Sequence, residues 1–383
     1  MPRVTAAGWA LVALAVLGWG LGLTLEWTEL RLLGASATVV LLVCLLAVLL
    51  PRPATASAEA RPGRTAVGST TTIDLRVRAG ALPLASPVVR LEGDVASQVL
   101  RLPSIWPGRE RAEAVEHHAS RRGIFTVGPV RHVQSDPLGL FRRTHTWGEA
   151  TRLWVRPRVI VPDSFSLGGV FDLEGLASDT MSMSDLAFHA LREYVPGDDL
   201  RQVHWRSSAK ADTLLVRQYV ESRSMHAAVV VDDDPSAYAS DDELELAISV
   251  AASLAIRALT DGYEVDLCCG ARTTAPTGRE SLLDETCAWS FASPADAPVA
   301  VASRAAQVAR TTSAIGVGVV LSGSRGDLDQ LLEASSTFGG DAQRIAVRID
   351  PAGESSVRSS HGVRVLEVTR LEELPRLSAW VAT

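Results

Sequence analysis

The stretch Ala227-Ala228-Val229-Val230-Val231-Asp232-Asp233-Asp234-Pro235-Ser236 decides the fold of the C-terminal part of the chain. Five apolar residues without polar alternation mark a strand covered on both faces, and the carboxylates and proline after them stop it. Ser240-Asp241-Asp242-Glu243 comes next. A serine with a glutamate three residues later is a capping box, each side chain able to satisfy the other's free amide, and it opens a helix predicted to run to about Leu259. Asp261-Gly262 ends that helix and Val265 to Cys269 is the next strand. Helical patterns come at Ser281 to Trp289 and Pro298 to Arg310, then an apolar strand at Ala314 to Leu321. Leu328 to Ala334 is helical, Ile345 to Ile349 and Val363 to Val368 are strands, and the chain from Leu371 onward is helical. Strands alternating with helices over 225–383 predict an α/β unit with a doubly wound parallel sheet, and no internal repeat is visible.

Upstream the pattern changes. Residues 163–224 form a charged connection, and residues 70–162 read as a small β-sandwich. Thr72 to Arg78 alternates strictly, with short strands at Val88 to Leu91, Val99 to Leu102, Gly123 to Val130 and Leu153 to Val161. Residues 51–69, rich in Pro, Ala, Ser and Arg, read as a linker. Residues 1–50 hold two charge-free runs, Val4 to Leu25 and Leu32 to Leu50, each close to the length of about 20 residues that crosses a bilayer core. They predict a transmembrane hairpin rather than a signal peptide, since the first run lacks a small-residue cleavage site and a second run comes directly after it. Arg3 before the hairpin and Arg52, Arg61 and Arg64 after it, against the acidic loop at 26–31, place both ends and the soluble domains in the cytoplasm of a cell with an inner membrane.

The chain has 383 residues, 47% hydrophobic and 21% charged, with a net charge of -7, which excludes a disordered tail and a small disulfide scaffold. A mean hydropathy of +0.15 is high for a chain so charged, and the two apolar runs account for it. Charge is unevenly spread. Residues 70–160 carry 14 arginines against 8 acidic residues, while 161–383 carry 18 basic against 33 acidic. Arginines alternating along strands with little aromatic interleaving, in an acidic chain, argue against nucleic-acid binding. Cys44, Cys268, Cys269 and Cys287 form no metal-ligand spacing, and the adjacent pair points to opposite faces of its strand. Gly-rich phosphate loops, nucleophile elbows and paired metal-binding histidines are absent, so no catalytic set is expected. His117-His118 beside Arg121-Arg122 reads as a solvated edge, and Asp327 of Arg325-Gly326-Asp327 as a helix cap.

The densest group of polar residues joins the two domains: Arg192, Glu193, Tyr194, Pro196, Gly197, Asp198, Asp199, Arg201, His204, Trp205, Arg206 and Lys210. Pro196-Gly197 dictates a turn, and the two aspartates can cap the helical turn after it. Charges of both signs crowd around Trp205, which predicts an ion-pair knot between domains or a partner-docking surface.

These residues, in the spacing Arg192-Glu193-Tyr194-x-Pro196-Gly197-Asp198-Asp199-x-Arg201-x-x-His204-Trp205 and on to Leu215-Val216-Arg217-x-Tyr219, resemble the signature of the domain-of-unknown-function 58 family. Arg121-Arg122-Gly123-Ile124-Phe125-x-x-Gly128-Pro129-Val130, then Asp136-Pro137-Leu138-Gly139-Leu140-Phe141 and Val155-x-Pro157, resemble its β-rich part. The resemblance implies a bacterial or archaeal membrane-anchored protein of unassigned biochemical function whose C-terminal domain is similar to a von Willebrand factor A domain, and the lack of a catalytic set in the sequence predicts a non-enzymatic role. The resemblance also implies an AAA+ ATPase of the MoxR type as partner. In von Willebrand factor A domains Asp-x-Ser-x-Ser holds Mg²⁺ through hard oxygens. The matching positions here are Asp232, Asp234 and Ser236, with Asp in place of the middle Ser, and Ser322-Gly323-Ser324 comes after the later strand without the Asp expected there. A degenerate, non-binding site is expected. The alternative is a divalent-metal-dependent enzyme or ligand-binding domain using Asp232, Asp234 and the Arg192 to Lys210 cluster.

Overall fold

A computed structural model describes residues 2–50, 53–95, 98–162, 186–195, 203–211, 213–221, 225–292 and 299–380. The chain divides into two units, Met1–Arg156 and Pro157–Thr383.

The first unit begins with a two-residue strand, β1 (Arg3–Val4), and two helices, α1 (Ala6–Thr24) and α2 (Thr28–Leu49). Both helices are long and apolar enough to cross a membrane. Their contact stripe is built from small residues: Ala15, Gly18 and Gly22 are buried on α1, Gly34 and Ala37 on α2. A Cβ on Gly18 would lie 2.9 Å from the Gly34 backbone, so the two backbones touch where side chains are missing. The Trp19 indole N–H donates to Thr38 Oγ1 and the Arg31 Nε–H to the Gly22 carbonyl.

The strands after the hairpin are β2 (Ala54–Arg61), β3 (Arg64–Ala66), β4 (Thr70–Ala79), β5 (Val88–Gly93), β6 (Gln98–Arg101), β7 (Glu110–His118), β8 (Gly123–Ser135), β9 (Phe141–Trp147) and β10 (Thr151–Arg156). The short β1 pairs antiparallel with β9. One sheet runs β1-β9-β8-β10-β3, with β5 on the far half of β8 and β6 on β5, and the other runs β2-β4-β7. Ile73, Leu75 and Val77 of β4 share one buried core with Val89, Leu91, Val127, Val130, Leu153 and Val155, which makes this the β-sandwich that the alternation predicts.

Two expectations change here. Residues 54–66, expected to be linker, are strands β2 and β3, and β2 pairs with β4 along its whole length. Its sequence Ala-Thr-Ala-Ser-Ala-Glu-Ala-Arg does alternate, but with alanine as the inward residue: Ala56 and Ala58 are buried. The strand expected to reach Val161 ends at Arg156, ahead of Pro157, which lacks the amide a ladder needs. Val159, Ile160 and Val161 instead pack on the core of the second unit, where Ser253 Oγ accepts the Ile160 N–H at 3.0 Å.

The Asp136 to Phe141 turn seats the helical hairpin. Asp136 accepts the amides of Leu138 and Phe141, at 3.0 and 2.6 Å. The carbonyls of the turn then receive the start of α1: the Thr5 amide donates to Leu140 O at 2.9 Å and the Thr5 hydroxyl to Gly139 O at 2.8 Å. A Cβ on Gly8 would sit 2.5 Å from Leu140 O, so only glycine fits there. Leu140 and Phe141 pack with Cys44 and Val48 of α2, and Gln134 Nε2 donates to the carbonyls of Ala47 and Val48.

The second unit opens with a hairpin, β11 (Leu186–Glu193) and β12 (Leu215–Glu221), with a short helix α3 (Trp205–Ala211) between them in sequence. Then come β13 (His226–Val231), α4 (Asp241–Thr260), β14 (Glu264–Cys269), β15 (Arg272–Thr274), α5 (Arg279–Thr286), α6 (Val301–Thr311) and β16 (Ile315–Ser322). The remainder is α7 (Leu328–Ser336), β17 (Gln343–Ile349), β18 (Ser356–Ser360), β19 (Val363–Val368) and α8 (Leu374–Trp380). The sheet order is β15-β14-β13-β16-β17-β19-β18, parallel except for the two edge strands. Ala227, Val229 and Val231 point to the face covered by α4, α5 and α8, while Ala228 and Val230 point to the face covered by α6 and α7. Cys269 and Cys268 divide between the same two faces.

Candidate functional site

Two places in the second unit hold the residues that the sequence marks as candidates. The first is the charged connection. Arg192 and Glu193 end β11, and Tyr194 donates its amide to Leu214 O at 2.8 Å. Pro196, Gly197, Asp198, Asp199 and Arg201 lie outside the described residues. Beyond them Val203 bridges Val216, both buried, and the His204 amide donates to Leu215 O. His204 then starts α3: its Nδ1 accepts the Ser207 amide at 3.1 Å, so the ring works as a helix cap. Ser208, which the sequence did not single out, is buried and receives the Leu215 amide on its Oγ at 2.8 Å, pinning α3 to β12. Trp205 is 64% exposed and shares this helix with exposed Arg206 and Lys210. The aromatic is therefore a displayed side chain on α3.

The second place is the crevice at the carboxyl ends of β13 and β16, where the strand order reverses; in open α/β sheets ligands bind at such points. Asp232 is the first residue after β13 and is 8% exposed. Its Oδ2 accepts from Ser322 Oγ at 2.8 Å and its Oδ1 from the Asp234 amide at 3.2 Å. Its backbone carbonyl accepts from the buried Tyr238 hydroxyl at 2.7 Å. Asp234 turns to its own loop, where Oδ1 takes both the amide and the hydroxyl of Ser236 and caps a single turn at Pro235–Ala237. Asp232, Asp234 and Ser236 are thus drawn into two separate turn-closing arrangements. Among the described residues no group of three or more His, Cys, Asp or Glu side chains is disposed to hold a metal ion.

Burial pushes the Asp232 carboxyl above the usual carboxylate range; Ser322 and the Asp234 amide pull against that, and the charges of Asp234 and Asp233 add to the rise. Tyr238 is raised well above an ordinary phenol by the same desolvation, with Asp232 next in effect.

Glu243 reaches further than its place in a capping box predicts. Ser240 Oγ does accept the Glu243 amide at 3.4 Å, as the capping box requires. The Glu243 carboxylate, however, takes the Ala239 amide at 2.9 Å and then reaches the loop after β16, where the Ser324 amide and hydroxyl donate to it at 3.2 and 2.9 Å. Glu243 is 5% exposed. Arg348 of β17 holds the same loop through the Ser324 carbonyl. Gly323 lies between these contacts, and a Cβ there would meet Ala237 O at 2.4 Å and the Tyr238 ring at 2.5 Å. Ser322, Ser324 and Glu243 therefore weld the β16 loop to the turn after β13.

The hairpin, the capped helix and this welded sheet occupy one continuous stretch of sequence. Residues 190–368 match the family model described as Protein of unknown function DUF58. That stretch belongs to the DUF58 family. It takes in the end of β11 and every strand of the parallel sheet, so both candidate places lie inside the DUF58 region. No curated protein matches the chain. Among solved structures, a CARDB domain from Pyrococcus furiosus is 13% identical, covering 25% of this chain and 94% of that one at a TM-score of 0.19. The alkylpurine DNA glycosylase AlkC of Pseudomonas fluorescens is 17% identical, covering 36% of this chain and 42% of that one at a TM-score of 0.21. At these scores neither likeness informs the fold or the function of the DUF58 region.

Proposed function

We propose that the chain is a membrane-anchored protein-interaction or assembly protein: α1 and α2 span the inner membrane, both termini and both soluble domains face the cytoplasm, and the second unit is a von Willebrand factor A-like docking domain without catalytic activity. Its partner in this reading is an AAA+ ATPase of the MoxR type. The order of the central strands and the helices on both sheet faces support the von Willebrand factor A-like assignment. The seat of the hairpin on the Asp136 to Phe141 turn supports anchorage, because it ties both the entry to α1 and the exit from α2 to one end of a folded body.

The observation that carries the docking role is Trp205. A tryptophan that stays exposed on a helix fixed by a bridge and a buried serine, beside Arg206 and Lys210, is the residue type that anchors protein interfaces. The test uses the full-length chain in detergent and an immobilised MoxR-type ATPase from the same cell. Capture by the ATPase, lost in Trp205→Ala at an unchanged melting temperature, supports the reading. Absence of capture, or capture that Trp205→Ala leaves intact, overturns it.

A further inference from the structure

The turn that seats the hairpin also carries a concentration of positive charge and one exposed leucine, and neither is explained by the packing beneath. Arg3 of β1 and Arg142 of β9 are directly opposed across an antiparallel pair, so both side chains leave the same face of the sheet. Both are exposed. Like charges placed directly opposite destabilise a strand pair unless something negative lies between them. The two strands themselves, Arg-Val and Phe-Arg-Arg-Thr-His-Thr-Trp, contain no carboxylate, and the nearest acidic residue in sequence, Asp136, is buried with its oxygens turned to the amides of its own turn.

The position of this pair relative to the helices is set by the contacts of the seat. Leu140 and Phe141 pack against Cys44 and Val48, and Leu140 O lies against Gly8. Cys44 is five residues before the end of α2, about 7.5 Å along its axis at 1.5 Å per residue. The turn therefore overlaps the ends of both helices instead of stopping short of them. At its tip Leu138 is 62% exposed. Two residues beyond Leu140 along β9, away from the helices, comes the opposed arginine pair. Order along the hairpin axis is thus apolar tip, packed seat, then paired cations, which is the order of acyl chains and phosphates met on leaving a bilayer.

We propose that the β8–β9 turn enters the membrane interface, with Leu138 among the acyl chains and Arg3 and Arg142 together clasping the phosphate of an anionic phospholipid. The inference rests on the reading that α1 and α2 span the membrane. It adds a lipid requirement that spanning helices alone do not create. Arginine suits the role because its planar guanidinium can give two parallel hydrogen bonds to phosphate oxygens.

The test uses the full-length protein. Native mass spectrometry of the detergent-solubilised chain, titrated separately with phosphatidylglycerol and phosphatidylcholine, is expected to show preferential retention of phosphatidylglycerol. Arg3→Gln/Arg142→Gln should weaken that preference by roughly 25-fold, about fivefold per arginine. A spin label on Leu138→Cys, in bilayers containing phosphatidylglycerol, should be more accessible to oxygen than to a water-soluble nickel chelate; the four native cysteines are buried and leave this thiol the one to label. Equal retention of the two lipids, a preference that survives the double substitution, or a label accessible to the chelate overturns the proposal. Carbonate extraction of cell membranes separates this from failure of the anchoring itself: a chain released by carbonate overturns the spanning reading, whereas a chain retained without lipid preference overturns only the clasp.

Discussion

Ser322 Oγ donates to Asp232 Oδ2 across 2.8 Å, joining the ends of two adjacent parallel strands that are 90 residues apart in sequence. The bond spans the crevice that the strand order opens, a neutral hydroxyl donating to a buried acid. A metal ion would require further oxygens converging on one point beside that carboxylate.

Substituting Asp232→Asn is expected to leave the second unit folded and to raise its melting temperature at neutral pH. Asp232 is protonated more readily in the folded than in the unfolded chain. Its ionisation therefore opposes folding, fully above the raised folded-state pKa and not at all below the unfolded value. Melting curves of wild type and Asp232→Asn should lie apart at neutral pH and converge as the solution is acidified. A variant that melts lower at neutral pH would show that the carboxylate charge is stabilising.

Calorimetric titration of the purified chain with Mg²⁺ and Mn²⁺ is expected to give no heat that depends on Asp232. Asp232 already accepts from Ser322 and the Asp234 amide, and Asp234 is occupied by Ser236. Binding heat that disappears in Asp232→Ala would restore the metal-dependent alternative.

Glu243→Ala should destabilise the second unit by about 2–3 kcal/mol, since it strips the acceptor from the Ala239 and Ser324 amides in a buried setting. Glu243→Gln keeps one acceptor oxygen and should cost less. Chemical denaturation at neutral pH measures both. A capping-box role alone would be worth about 1 kcal/mol, so the size of the alanine effect separates the inter-loop weld from a local cap.

Legibility in the sequence depended on how local each signal is. Ala227 to Val231, the Ser240 cap and the Asp327 cap could be read because they are local: the apolar run needs two covers, and a hydroxyl or carboxylate at a helix start has one obvious use. β2 was missed because its inward residues are alanines, too small to lift the alternation above a polar, proline-flanked background. Glu243 was half legible. Its amide partner is visible in the sequence, but the choice between the backbone of its own helix and a loop 81 residues away is made only when β13 and β16 become neighbours. Ser322 illustrates the same limit, because a serine after a strand has no visible partner until the sheet order is known. The exposure of Trp205 is likewise set only when α3 is fixed against β12 through Ser208.

Asp136 closes the turn on which the hairpin is seated, accepting the Leu138 and Phe141 amides. Burial works against ionisation of Asp136, but the amides of Phe141, Leu140 and Leu138, together with the Cys44 thiol, outweigh it and hold the carboxyl below the usual range. A carboxylate with a depressed folded-state pKa stabilises above its unfolded pKa, and the contribution is lost as pH falls through the folded value. At neutral pH, then, Asp136→Asn should loosen the turn, because one amide oxygen cannot replace two carboxylate oxygens facing N–H donors. Hydrogen exchange measured by mass spectrometry on the full-length chain should show faster exchange at Leu138 and Phe141, by about tenfold for a loss near 1.4 kcal/mol. Thr5, whose amide and hydroxyl depend on the carbonyls of the same turn, should lose protection with them, while the α/β unit keeps its own. If the exchange at Leu138, Phe141 and Thr5 is unchanged in the variant, Asp136 is not what holds the hairpin to its seat.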